Sequence, residues 1–93
     1  DENLQPQPVL EPDFAGFAGV LSAYLKATER GDATAMSQLG DWYQSGRFMP
    51  KNSVEAFRWY DQAANGGLGG AAVKRDRLKP LLTPDERTQA LKP

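Results

Sequence analysis

The 93-residue chain contains no cysteine and no histidine. Without cysteine, neither a disulfide nor a thiolate metal site can hold a small fold together. Without histidine, the chain lacks the commonest general base, the usual metal ligand and the usual pH switch. An excess of one charge is also missing: 11 basic side chains face 12 acidic ones, a formal net charge of −1. Such a balance gives no general attraction to nucleic acid or anionic membrane. Nor is there a long hydrophobic run. Phe14 to Leu25 is the longest apolar-leaning stretch, and a bilayer span takes about 20 residues. The chain opens Asp-Glu-Asn, with no initiator Met and no basic signal region, so a trimmed or processed start is expected.

What is present is aromatic and small. Two Trp, three Tyr and four Phe give large apolar area per residue, which helps a chain near the lower size limit for one domain. Residues 1–12 hold Pro6, Pro8 and Pro12. Proline blocks helices and strand ladders, so this segment is expected to be an extended leader or linker, followed by one domain over 13–93.

The apolar positions then recur at three- and four-residue steps, the period of amphipathic helices. Asp13 is the candidate cap of a first helix with Phe14, Phe17, Leu21, Leu25 and Thr28 on one face. Gly31 ends it, and Asp32 caps a second helix, roughly 33–45, with Ala35, Met36, Leu39 and Tyr43 inward. Asn52 and Glu55 have the spacing of a capping box for a third helix, 53–65, whose inward face is Ala56, Trp59, Tyr60, Ala63 and Ala64. A fourth helix is expected from about 70 to 79. A short fifth follows Thr83-Pro84-Asp85-Glu86, a cap, proline and acid start signal. The predicted fold is all-α.

A repeat lies beneath this order. Tyr24 and Tyr60, Ala27 and Ala63, Gly31 and Gly67, and Ala35 and Ala71 are each 36 residues apart. A helix pair at such a period is the mark of an α/α solenoid. The residues Ala35, Leu39, Gly40, Tyr43 and Gly46, then Ala56, Trp59, Tyr60, Ala63, Ala64 and Gly67, resemble the pattern of the Sel-one-like repeat family, a branch of the tetratricopeptide-like solenoids. The resemblance covers one full repeat, about 32–67. Partial repeats flank it, and a terminal capping helix closes it. It implies a short solenoid of antiparallel helix pairs, about five helices in all. The sequence departs from the family at Phe48, Met49 and Asn52, where the repeat has Gly, Val and Asp. A loop glycine permits a left-handed backbone that Phe disfavours, so a reshaped loop is expected.

Catalytic patterns are weak. Asp41, Glu55 and Asp61 are acid/base candidates by elimination only, and solvated helix faces account for them. The basic run Lys74, Arg75, Arg77, Lys79 is interrupted by Asp76 and reads as a solvated face rather than a nucleic-acid contact. Trp59 and Tyr60 share a phase with the inward alanines and read as core. Trp42 flanks the buried stripe, to pack against the fourth helix or remain partly open. No catalytic residue, cofactor or metal ligand is expected.

The resemblance implies a non-catalytic protein–protein adaptor or regulator, often in bacterial envelope or secreted proteins, which gives a lean toward the periplasm. Gln38, Asp41, Trp42 and Gln44 on the second helix, with Arg47, Phe48 and Met49 in the loop, are the candidate partner contacts. An exposed Phe48–Met49 patch would favour self-association. The alternatives are an enzyme or enzyme inhibitor acting on envelope substrates, or a structural end domain of a larger protein.

Overall fold

A computed structural model describes residues 14–92, with side chains from residue 16 onward. The expected leader, the Asp13 cap and the Phe14 side chain lie outside these described residues. Five α-helices follow in order: α1 (Phe14–Glu29), α2 (Ala33–Ser45), α3 (Ser53–Asn65), α4 (Gly69–Leu78) and α5 (Pro84–Leu91), with a 3-10 turn over Lys79–Leu81 between the last two. Among the described residues there is no strand. The chain is a short α/α solenoid: α3 lies at its centre, in contact with α2, α4 and α5, while α1 packs on α2.

The 36-residue repeat is written into the backbone. The Asp32 N–H donates to the Ala27 carbonyl at 3.1 Å and the Gly31 N–H to Thr28 at 2.9 Å. One repeat later, Leu68 donates to Ala63 and Gly67 to Ala64, both at 3.0 Å. Gly31 and Gly67 both take positive φ, 84° and 101°. This left-handed step lets the chain turn out of α1 and α3 in the same way, and only glycine adopts it without cost.

Local start signals behave unequally. Asp32 accepts from the Ala35 N–H at 3.2 Å, and Thr83 and Glu86 form a complete reciprocal box at 3.1 and 2.9 Å. The expected box at α3 is only half made: Asn52 accepts from the Glu55 N–H, but the Glu55 carboxylate turns to Arg58 at 3.7 Å instead of returning to the cap.

The core joins Ala56, Phe57 and Tyr60 of α3 to Leu78, Leu82 and Ala90, with Tyr43 and Val54 against its edge. Leu39, Ala35, Ala63 and Ala71 are also buried, at the contacts between helices. Gly40 is the close-approach point expected of it. A Cβ there would lie 2.5 Å from Cε1 and 2.6 Å from Cδ1 of Tyr60, so the bare backbone of α2 seats directly on the ring. Four core expectations need correction. Trp59, Met36 and Ala64 are only half-buried, and Leu25 is 40% exposed. Phe57, absent from the expected inward set, is buried because α5 covers a second side of α3.

Candidate functional site

The 36-residue register makes α2 and α4 equivalent helices of successive repeats, and their side chains meet above Tyr60. The groove between them is lined by Asp41, Gln44, Tyr60, Lys74, Arg77, Leu78 and Leu81, with a volume of about 310 Å³. Its floor is apolar, made by the Tyr60 ring and buried Leu78. Its walls are charged.

Asp41 organises the centre. Its Oδ1 accepts from the Tyr60 hydroxyl at 2.7 Å, and both of its oxygens accept from Lys74 Nζ at 3.0 Å. The ammonium also lies 5.8 Å from the centroid of the Tyr60 ring, within cation–π range. Burial, the hydrogen bond to Asp41 and the Asp41 charge together hold the Tyr60 phenol far above its ordinary pKa. It is therefore a neutral donor at any physiological pH. The Asp41–Lys74 pair is well over a third exposed on both sides, so solvent screens it and it contributes little to stability. Arg77 and Leu81 remain turned to solvent at the groove's edge, Leu81 74% exposed.

The seven sequence-predicted contact residues divide between two surfaces. Asp41 and Gln44 line the groove, where the Gln44 Oε1 accepts from the Ser53 hydroxyl at 3.3 Å. Gln38 lies one turn earlier on α2, half-buried. Trp42 points elsewhere. It packs against α1, not α4, with edge-to-face contacts to Phe17 at 4.9 Å and Tyr24 at 5.0 Å. Phe48 stacks on Phe17 at 4.9 Å, so the loop is tucked onto the helices with one face of the Phe48 ring covered. The Arg47 guanidinium lies over the same ring at 5.3 Å, and Met49 completes a shallow loop cleft of about 270 Å³ with Gly46 and Pro50.

Sequence reasoning missed Lys74, Arg77 and Leu81 as groove residues. A signal for the first two existed. Thirty-six residues separate Gln38 from Lys74 and Asp41 from Arg77, so the repeat register places both cations on the same face of the first helix of the next repeat. Leu81 had no such signal, since the 3-10 turn carries it outside the repeat.

Each of the three acids considered from sequence has a cationic partner. Asp41 pairs with Lys74, Glu55 with Arg58, and Asp61 with Arg75. Arg75 bridges Asp61 and Asp76 at 3.0 Å each; hydrogen bonds to the two carboxylates push its pKa further up. Among the described residues, no three Asp or Glu side chains converge as a metal-ion site, and no helix is long and apolar enough to cross a membrane.

Comparison with protein families matches residues 33–68 to the Sel1 repeat, the family resembled in the sequence. No curated protein and no solved structure matches the chain. The matched segment runs from the first residue of α2 to the residue before α4, so α2, α3 and the turn beyond them are one Sel1 repeat. Sel1 repeats are in general protein-interaction modules.

Proposed function

We propose that this chain, which carries a Sel1 repeat, is a non-catalytic adaptor or regulator that seats a partner protein in the α2–α4 groove. One observation carries the reading: an apolar floor and an exposed Leu81 sit beside Arg77, which has no ion-pair partner among the described residues, between equivalent helices of successive repeats. Apolar anchors ringed by charge, with arginine enriched, are the composition of interface centres. The polar lining can vary without disturbing the core, because Tyr60 and Leu78 are already held from behind.

Asp41, Gln44 and Gln38 form the α2 side of this surface. Arg47, Phe48, Met49 and Trp42 form a second, aromatic corner around α1, which serves as an auxiliary contact or a self-association patch. Residues 1–12 act as a leader joining the domain over 13–93 to its context, which we place in a bacterial envelope or secreted protein.

Selection of a displayed random-peptide library against the chain tests the reading, with amide-shift mapping of the selected binders. Perturbation of Asp41, Gln44, Arg77 and Leu81, and loss of binding in the Arg77→Glu/Leu81→Ser variant, are expected. Binders that map only to Phe48 and Met49, or none at all, overturn it.

A further inference from the structure

We infer that the occupant of the groove is an extended acidic peptide segment with a single large apolar side chain. This rests on the α2–α4 groove being the binding surface.

The first argument is charge. All 11 basic side chains fall within residues 14–92. Of the 12 acids, four (Asp1, Glu2, Glu11 and Asp13) precede residue 14, leaving eight. Residues 14–92 of the near-neutral chain therefore carry a net charge of +3. Several of these cations are internally engaged: Lys74 by Asp41, Arg75 by Asp61 and Asp76, and Arg58 by Glu55. Arg77, on the groove's lining, has no acidic neighbour within ion-pair distance among the described residues and is exposed; Lys79, two residues on, is likewise exposed and without such a neighbour among them. Asp41 is the groove's one acid, and Lys74 and the Tyr60 hydroxyl already engage it. The field that the described residues present to an arriving segment is positive, which selects acidic partners and speeds their encounter.

The second argument is size. One turn of about 5.4 Å in a helix about 10 Å across fills roughly 400 Å³, more than the groove's volume of about 310 Å³, which is near the small end for binding pockets. It admits one side chain against Tyr60, Leu78 and Leu81 while the flanking backbone runs over the cations.

The test uses the full chain and three fluorescein-labelled peptides: EDELEDE, its uncharged isostere QNQLQNQ, and EDEGEDE, which lacks the anchor. At low salt, EDELEDE is expected to bind at least tenfold more tightly than either control. Its affinity is expected to fall as salt rises, to drop at least tenfold in Arg77→Glu, and to shift the amides of Asp41, Gln44, Arg77 and Leu81. Equal binding of EDELEDE and QNQLQNQ at those amides overturns the acidic preference while leaving the groove as the binding surface. Shifts confined to other parts of the molecule overturn both. If EDELEDE binds only after Asp1, Glu2, Glu11 and Asp13 are neutralised to Asn or Gln, the chain's own first residues are the occupant and the partner assignment fails.

Discussion

Replacing Gly40 by alanine sets two effects of opposite sign against each other. By helix propensity alone, Gly→Ala inside a helix stabilises by roughly 0.5–1 kcal/mol. The structure opposes this, because the added Cβ would lie 2.5 to 3.0 Å from three atoms of the Tyr60 ring. That ring cannot swing away freely. It is buried in the core cluster with Ala56 and Leu78, and its hydroxyl is tied to Asp41 at 2.7 Å. Overpacking costs about 1–3 kcal/mol. Displacing the hydroxyl adds about 1 kcal/mol, the net worth of an ordinary hydrogen bond, since the partly solvated Asp41 is screened. The net expectation is a destabilisation of roughly 1–3 kcal/mol, a fall in Tm of about 5–20 °C for a domain of this size. Chemical denaturation followed by circular dichroism reads it directly. Gly19→Ala is the matched control: nothing lies within 4 Å of a Cβ there, so propensity acts alone and stability should rise. If Gly40→Ala rises by the same amount as Gly19→Ala, the close seating of α2 on the Tyr60 ring is wrong. A smaller cost of Gly40→Ala in a Tyr60→Ala background would confirm that the ring is the obstacle.

The remaining predictions concern the same core. The Tyr60 phenol has its folded pKa raised above the ordinary 10.0. Its contribution is therefore complete below pH 10 and lost as pH climbs above it, at up to about 1.4 kcal/mol per pH unit; urea midpoints between pH 9 and 11.5 should fall more steeply in the parent than in Tyr60→Phe. Phe57→Ala should cost about 3–5 kcal/mol, enough to abolish cooperative unfolding in a small domain. Trp42→Ala should instead free α1 alone: hydrogen exchange should accelerate at the amides of α1 while α3 keeps its protection, and uniform acceleration would refute the placement of Trp42 against Phe17 and Tyr24.

Helix order was legible in the chain because period, cap and stop signals are local. Asp32, Gly31, Gly46 and Thr83 each act within a few residues of themselves, and each holds its expected end. Gly40 could be read as a contact point because small residues among aromatics at helical spacing invite close approach. Phe57 could not be read, since its burial depends on α5 arriving from 26 residues downstream of it, at Thr83. The Asn52–Glu55 box failed for a related reason: spacing offers a partner but does not rank it against Arg58. The groove was half-legible. Asp41 and Gln44 were marked by their helix face, and the repeat register held Lys74 and Arg77 without their being drawn from it.

The residues alone determined an all-helical solenoid with a 36-residue period, because hydrophobic period and left-handed glycine stops are properties of neighbouring residues. Only the tertiary structure decided which aromatics face the interior and which brace α1. It also decided that Asp41, Tyr60 and Lys74 converge. Those outcomes depend on which helix face arrives opposite which, between residues 14 to 33 positions apart in the chain, and packing alone sets that.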